Sequence, residues 1–137
     1  MYVDNASANF ILHPEIFDVI VTTNFIGDIL SDMGGAIMGS LGLGPSGNIN
    51  PEKQFPSMFE PIHGSAPDIA GRGIANPVGA IWSGAIMLDH LGENSAAAQI
   101  VKAVEAIIEQ GILPVDLGGS AGTKEISDAI VKKLESI

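Results

Sequence analysis

The sequence contains no cysteine and few fixed positive charges. Without cysteine in its 137 residues, the chain can form neither disulfide bridges nor thiolate metal sites. Lysine and arginine together number 6 against 16 aspartates and glutamates, so the formal net charge is −10. Because nucleic acids and anionic membrane surfaces are polyanions, both are disfavoured as partners of so acidic a chain.

The few positive charges are also unevenly distributed. No lysine or arginine precedes Lys53, and the only arginine is Arg72. The first 52 residues still contain six carboxylates, which are Asp4, Glu15, Asp18, Asp28, Asp32 and Glu52. This region therefore requires a cationic partner, either a divalent metal ion or basic side chains of another chain.

Long apolar runs are absent as well. The longest apolar stretch, residues 77–91, is too short and too mixed in composition to span a bilayer. The first residues lack the basic segment and apolar run of a signal peptide, so we expect a cytoplasmic protein. The length fits one domain, and 46% hydrophobic residues suffice for a core, while the low charged fraction of 16% suggests that a partner covers part of the surface.

The spacing of apolar residues predicts a chain with mostly helical cover. Apolar side chains recur every three or four residues, and prolines, glycines and capping residues stand at the ends of these segments. We predict helices over residues 6–12, 25–38, 77–91, about 95–110 and 123–137. Asn76 and Thr123 are the predicted capping residues of the helices that follow them.

Two segments have the composition of β-strands. The β-branched run of residues 17–23 predicts a buried strand, and residues 57–62 predict a second one. Residues 39–56, rich in glycine, proline and asparagine, predict a loop with at most one short strand. Because two strands cannot complete a parallel sheet, we expect an α/β fold with an incomplete sheet covered by helices.

Asp28 and Asp32 stand four residues apart in a predicted helix. That spacing places both carboxylates on one face, where the like charges repel each other. A magnesium or manganese ion would relieve the repulsion, since hard divalent cations prefer carboxylate oxygens. The alternative is a solvated acidic face, but the small and apolar neighbours in NFIGDILSDMGG are unusual for a plain surface.

The segment GLGPSG, residues 42–47, matches the dinucleotide-binding pattern G-x-G-x-x-G but not its context. The pattern needs a strand before it and a helix that begins at its third glycine. Here a helix is predicted before the segment, and Pro45 removes a backbone N–H that a phosphate would use. We therefore interpret residues 42–47 as a structural loop.

The loop FEPIHGSAPDIAGRGIANP, residues 59–77, carries the most chemistry in the chain. His63, Ser65 and Asp68 do not form a hydrolase triad, because triad members come from separate segments. The loop is suited instead to nucleoside recognition. An imidazole can contact a base edge, a carboxylate can accept bonds from both ribose hydroxyls, and glycines permit close approach of the backbone.

Four segments carry a family resemblance: YVD at residues 2–4, NFIGDILSD at 24–32, HGSAPDIAGRGIANP at 63–77 and DLGGSAGT at 116–123. In order and spacing the chain resembles the C-terminal part of the metal-dependent β-decarboxylating dehydrogenases, the isocitrate/isopropylmalate dehydrogenase family. The stretches at 44–68 and 80–92 look most like the tartrate/D-malate branch, with isopropylmalate dehydrogenase close behind. The resemblance implies the C-terminal portion of the isopropylmalate dehydrogenase-like fold.

The resemblance implies a metal site and a dimer. Asp28 and Asp32 would bind Mg²⁺ or Mn²⁺ together with a hydroxy-acid substrate, and Asp4 would reach into the site of a second subunit. The ion would polarise the substrate oxygen while CO₂ leaves. Residues 1–38 would belong to the dimer-forming domain and residues 39–137 to the cofactor-binding domain.

The resemblance also implies an NAD site in the loop. His63 and Asn76 would contact adenine, and Asp68 would bind the adenosine ribose. The NADP-dependent members carry a basic and an aromatic residue at the positions of Asp68 and Ile69, so NAD is the expected cofactor. The further residues implied to line the cofactor are Gly64, Ser65 and Ala66, with Glu60 facing the nicotinamide ribose.

The sequence lacks the substrate-binding and catalytic residues that the family resemblance would imply. Members are much longer, and their substrate-binding arginines and catalytic lysine and tyrosine lie in the part that precedes the resemblance. The only arginine here is Arg72 and the only tyrosine is Tyr2, so no catalytic residue is expected on this chain. We expect an isolated chain without turnover that forms dimers or higher oligomers, or needs a separate N-terminal half. The alternative is a non-catalytic folded remnant, an assembly module that at most binds nucleotide.

Overall fold

The structure, a computed structural model, describes all residues from 1 to 137. It contains five α-helices and one two-stranded sheet. The helices are α1 (Val3–Leu12), α2 (Asn24–Ile37), α3 (Val78–His90), α4 (Asn94–Glu109) and α5 (Thr123–Leu134), and the strands are β1 (Pro45–Asn48) and β2 (Met58–Pro61). Single 3₁₀ turns occupy Pro14–Ile16, Leu41–Leu43 and Val115–Leu117. None of the helices has the length and hydropathy needed to cross a membrane.

The core lies between α3, α4 and α5. Helix α4 contacts α3 on one side and α5 on the other, so the three helices form a layer. The predicted apolar stripe of α5 is buried at Ile126 and Ile130, whereas Ile137 lies beyond the end of the helix and is exposed. The buried apolar cluster consists of Val78, Ala103, Val104, Ile107, Ala121, Ile126 and Ile130.

Strands β1 and β2 form an antiparallel hairpin that packs on α3. Ser46 pairs with Glu60 in the register, and the backbone N–H of Ser46 donates to Oγ of Ser83 on α3 across 3.3 Å. Gly79 permits the turn that leads into β1 to approach α3 closely, since a Cβ there would lie 2.9 Å from the carbonyl oxygen of Gly42. The predicted strand at 57–62 is therefore confirmed in its central residues, and the loop at 39–56 contains one short strand as predicted.

The GLGPSG segment has the structural context that excludes a dinucleotide fingerprint. It begins in the 3₁₀ turn Leu41–Leu43 and ends within β1, so no strand precedes it and no helix starts at Gly47. The interpretation of residues 42–47 as a structural loop is confirmed.

Helices α1 and α2 pack against each other in a second layer, and most of their apolar side chains stay exposed to solvent. The α2 helix was predicted over 25–38 and is observed over Asn24–Ile37, while α1 begins three residues earlier than predicted. Of the apolar residues of α2, only Leu30 is fully buried, and Phe25, Ile29 and Ile37 are exposed. This part of the chain therefore presents apolar side chains to solvent along most of its length.

The predicted buried strand at residues 17–23 is wrong for this chain. The segment is neither helix nor strand, and Val19 and Val21 are 86% and 96% exposed. The residues have strand composition, but a strand forms only when a neighbouring strand accepts its backbone hydrogen bonds. No strand of the chain pairs with residues 17–23, because its one sheet consists of β1 and β2.

Candidate functional site

The loop of residues 62–77 connects β2 to α3 and is fixed at both ends. Its first residue, Ile62, donates its backbone N–H to the carbonyl oxygen of Gly44 across 3.1 Å. Near its other end, Thr123 at the start of α5 donates its N–H to Gly73 across 2.9 Å and its hydroxyl to Ala75 across 2.5 Å. The predicted capping of α5 by Thr123 is therefore wrong: Gly122 is the N-cap residue, no side chain caps the helix, and the hydroxyl of Thr123 holds the loop instead.

Between these anchors the loop turns twice on itself. The backbone N–H of Ile69 donates to Ala66, and that of Arg72 donates to Ile69, each across 3.1 Å. Ala66 has a φ of +42°, a left-handed conformation that costs a residue with a Cβ about 1–2 kcal/mol. Gly71 and Gly73 adopt φ of +75° and +67° without that cost. Strained backbone of this kind is concentrated at functional loops in proteins.

The polar side chains of the loop point to solvent. Asp68 and Ser65 are exposed, and neither side chain hydrogen-bonds or ion-pairs with the rest of the chain. His63 is half-buried, and its Nδ1 lies 3.0 Å from the carbonyl oxygen of Gly64, which requires the proton on Nδ1. Nε2 of the same ring is then left as an acceptor.

The surface of the loop is open rather than filled by its own side chains. A Cβ built at Gly64, Gly71 or Gly73 would meet no atom within 4 Å. Glu60, on β2 just before the loop, is exposed as well, and Ile69 is half-buried. The loop therefore leaves room for a ligand on the side where its backbone is bare.

Asn76 differs from the other predicted cofactor residues because it is buried, with 9% of its surface exposed. Its Oδ1 accepts from the N–H of Val78, the first residue of α3, across 3.0 Å, but the N-cap position is Pro77, one residue after the predicted cap. Its Nδ2 donates to Oδ2 of Asp116 across 3.0 Å. One N–H of the amide is left for a ligand, and the contact of Asn76 with adenine stays a prediction.

Asp116 and Ser40 are structural partners of the loop that the sequence did not reveal. Oδ2 of Asp116 accepts from Nδ2 of Asn76 and from the hydroxyl of Ser40, which lies 76 residues away. Oγ of Ser40 accepts in turn from the N–H of Gly42 across 2.9 Å. The position of Asp116 in the segment DLGGSAGT, which carries part of the family resemblance, was the one signal that could have pointed to it.

The two carboxylates of α2 are free to bind a cation. Asp28 and Asp32 are exposed one helical turn apart, and Asp28 receives only a 3.3 Å hydrogen bond from Nδ2 of Asn24. Asp4 is on α1, where its Oδ1 accepts from the N–H of Asn5 across 2.8 Å. The chain nowhere brings three metal-binding side chains together. Two carboxylates fit part of the coordination of a hard divalent ion, which takes about six oxygens or more.

These features define an α/β chain with an open, glycine-containing loop between a hairpin and a helix, and an acidic helix beside it. Residues 1–130 match the isocitrate/isopropylmalate dehydrogenase family. The chain belongs to this family.

Two curated relatives and one solved structure illustrate the similarity. The chain is 49% identical over 136 residues to a probable tartrate dehydrogenase/decarboxylase of Bacillus subtilis, covering 99% of this chain and 38% of the relative. It is 53% identical over 135 residues to an isocitrate/homoisocitrate dehydrogenase of Thermus thermophilus, covering 98% of this chain and 40% of the relative. The crystal structure of isocitrate dehydrogenase from Methylococcus capsulatus superposes with a TM-score of 0.89 at 45% identity, over 96% of this chain and 39% of that one.

The similarity extends over nearly all of this chain but only part of its relatives. The chain spans about two fifths of the length of each of the three proteins. The expected membership in the family and the similarity to its tartrate branch are confirmed.

Proposed function

We propose that this chain is the C-terminal part of an NAD-dependent and Mg²⁺- or Mn²⁺-dependent oxidoreductase, inactive as an isolated chain. The intact enzyme oxidises and decarboxylates a 2-hydroxy diacid, either tartrate or D-malate or 3-isopropylmalate. The observation that carries the proposal is the exposed, unpaired carboxylate of Asp68 on an open loop. The family, and the tartrate dehydrogenase/decarboxylase name of one relative, supply the reaction class.

The chemistry of Asp68 selects the cofactor. Two carboxylate oxygens can accept hydrogen bonds from both hydroxyls of the adenosine ribose. A 2′-phosphate at the same place would be repelled by the carboxylate, so NAD binds in preference to NADP. His63 offers Nε2 to the adenine, while the bare backbone of Gly64 and the small side chains of Ser65 and Ala66 allow the cofactor to lie against the loop. Ile69 packs beside it, and Glu60 faces its nicotinamide half.

The residues that would hold the metal are on α2. Asp28 and Asp32 would supply carboxylate oxygens, and Asp4 of a second copy, the substrate and water would complete the coordination. The ion would supply Lewis-acid polarisation of the hydroxy-acid oxygen. The residues of this chain would hold and position the ion, and none of them is assigned a proton transfer. The division at residue 38, between a dimer-forming part and a cofactor-binding part, and the cytoplasmic location stay predictions.

A second candidate is an assembly module without catalysis. It is favoured by the exposed apolar side chains of α2, where Phe25 is 73% exposed and Ile29 and Ile37 about half. Large exposed apolar surfaces mark association sites, so a dimer or higher oligomer forms through this helix. Such a module would keep at most weak nucleotide binding.

Two measurements separate these functions. Calorimetric titration of the chain with NAD should give binding that Asp68→Ala abolishes, whereas Asp18→Ala, which removes another exposed carboxylate outside the loop, should leave it unchanged. No binding by the unmodified chain supports the assembly module. The pure chain should produce no NADH with tartrate, D-malate or 3-isopropylmalate. Clear production of NADH would refute the proposal that the isolated chain is inactive.

A further inference from the structure

The side-chain amide of Asn76 is held in one orientation by two partners of opposite character. Its Oδ1 accepts from the backbone N–H of Val78, and its Nδ2 donates to Oδ2 of Asp116, each across 3.0 Å. A backbone N–H can only donate and an ionised carboxylate can only accept, so an amide rotated by half a turn would face both partners with the wrong atom. The second N–H of Nδ2 bonds to no atom of the chain and is available as a donor to a ligand.

Ser40 fixes Asp116 in turn. The backbone N–H of Gly42 donates to Oγ of Ser40 across 2.9 Å, and the hydroxyl of Ser40 donates to the same Oδ2 of Asp116 that accepts from Asn76. Because the bonds begin at donors and meet at a carboxylate oxygen, each of them can run in one direction only. Asp116 is exposed and lies on a turn, so without Ser40 its carboxylate would be free to rotate away from Asn76.

Gly42 leaves room for these side chains. A Cβ at Gly42 would lie 2.7 Å from Oδ2 of Asp116 and 2.8 Å from Cβ of Asn76, closer than a real Cβ approaches such atoms. Gly42 is the first glycine of GLGPSG, the segment that matches a dinucleotide-binding pattern without its context. In this fold the bare position serves the network of Ser40, Asp116 and Asn76.

We infer that Ser40 and Asp116 are positioning residues that determine which base the site accepts, because they hold the free N–H of Asn76 as a donor to N1 of adenine. The inference rests on the proposed function, since the base is that of NAD. N1 is on the edge of adenine away from the ribose, and Asn76 stands at the fixed end of the loop, eight residues after the proposed ribose ligand Asp68. In hypoxanthine N1 carries a hydrogen, so two donors would face each other and both would stay unpaired.

The test compares the dissociation constants of the full chain for NAD and for nicotinamide hypoxanthine dinucleotide, which differ in the base alone. Calorimetric titration should show NAD bound at least about tenfold more tightly, because a site built to donate a hydrogen bond disfavours a ligand that cannot accept it. The ratio of the two constants reports the contact with the base, since the charge, sugars and pyrophosphate are the same in both ligands. Equal constants would overturn the inference while NAD binding, and with it the proposed function, stands. Binding of neither dinucleotide would refute both.

Replacement of Asp116 separates positioning from charge. Asp116→Ala should lower the ratio to about threefold or less, because the amide of Asn76 keeps only the bond from Val78 and can turn. Asp116→Asn should keep the ratio close to that of the unmodified chain, because one amide oxygen can accept both of the bonds that Oδ2 accepts. A merely structural role would weaken the binding of both ligands equally and leave the ratio unchanged. An unchanged ratio in Asp116→Ala, or an equal loss in Asp116→Asn, would contradict the inference.

Two further variants control for unfolding and for a general effect of carboxylates. Ser40→Ala removes the second donor to Oδ2 and should lower the ratio by about twofold or more, also where Asp116→Ala does not fold. Asp89→Ala is the matched control, because Oδ1 of Asp89 also accepts from an asparagine amide, that of Asn94, across 3.1 Å at the far end of α3. Asp89→Ala should leave the ratio unchanged, and an equal fall in this variant would contradict the assignment.

Nuclear magnetic resonance measures the orientation of the amide without a ligand. The hydrogen that Nδ2 of Asn76 donates to Asp116 should exchange slowly with water in the unmodified chain and in Asp116→Asn, and faster in Asp116→Ala. The signals are assigned by their absence in Asn76→Ala. Equally fast exchange in all three chains would show that Asp116 does not hold the amide, and the inference would be wrong.

Discussion

Asn76 donates its side-chain amide to the carboxylate of Asp116 across 3.0 Å, and this bond joins the candidate cofactor loop to the turn before α5. Replacing Asp116 with alanine leaves the buried amide of Asn76 without an acceptor. We expect a loss of roughly 1–3 kcal/mol in the free energy of unfolding. The measurement is urea denaturation of the unmodified chain, Asp116→Ala, Asn76→Ala and the double variant.

The double-mutant cycle should give a coupling energy of about 0.5–3 kcal/mol between Asn76 and Asp116, because the two side chains share one hydrogen bond. The matched control is the cycle of Lys124 and Asp128, an exposed ion pair on α5, which should couple by about 1 kcal/mol or less. Equal coupling in both cycles would show that Asp116 does not hold the loop.

Two glycines of α3 provide a matched test of the packing between the helix and the turn that precedes β1. A Cβ at Gly79 would lie 2.9 Å from the backbone oxygen of Gly42 and 3.1 Å from that of Gly44, whereas a Cβ at Gly84 would meet nothing within 4 Å. Gly79→Ala should therefore destabilise the chain by about 1–3 kcal/mol. Gly84→Ala should stabilise it by about 0.5–1 kcal/mol through helix propensity. Thermal unfolding of both variants, followed by circular dichroism, should show a lower melting temperature for Gly79→Ala and a higher one for Gly84→Ala.

Truncation of the side chain of Ile130 in the core of the three-helix layer should destabilise the chain strongly. This side chain is 2% exposed, while the adjacent Val131 is 56% exposed. Ile130→Ala should cost about 2–5 kcal/mol, since it removes buried methylene groups and leaves a cavity. Val131→Ala should change the free energy of unfolding by about 0.5 kcal/mol or less. Similar losses at both positions would contradict the packing of α5 against α4.

The carboxylates of α2 should bind Mn²⁺, measured by electron paramagnetic resonance of the free ion. The double variant Asp28→Asn, Asp32→Asn should lower the affinity at least about tenfold, because both carboxylates are proposed as ligands of the ion. Glu105 and Glu109 are another exposed carboxylate pair with the same spacing, on α4. The variant Glu105→Gln, Glu109→Gln should bind Mn²⁺ as the unmodified chain does. If the two double variants lower the Mn²⁺ affinity equally, the ion is attracted by the acidic surface in general and Asp28 and Asp32 form no specific site.

The helices could be predicted because their determinants are local. The spacing of Ile126 and Ile130 acts within a few residues along the chain, and so does the bond from the N–H of Val78 to the side chain of Asn76. The position of α2 followed in the same way from its apolar spacing. The start of α1 was less well predicted than its end, since the first turn lacks a side-chain cap that would mark it.

Features that depend on distant segments could not be predicted. Residues 17–23 have strand composition, but strand formation depends on a neighbouring strand, and no strand of the chain pairs with this segment. The bonds of Asp116 to Ser40 and Asn76 join segments 76 and 40 residues apart, and no periodicity reports them. The loop could be recognised from its residues, yet the burial of Asn76 and the exposure of Asp68 required the structure.

The central claim is that the loop around Asp68 binds NAD, and nuclear magnetic resonance of the isotopically labelled chain tests it most directly. Titration with NAD should shift the amide signals of Gly64 to Gly73, while those of the α4 residues distant from the loop stay in place. The same titration of Asp68→Ala should leave the loop signals unshifted. Shifts confined to other parts of the chain, or loop shifts of equal size in the Asp68→Ala variant, would contradict the account.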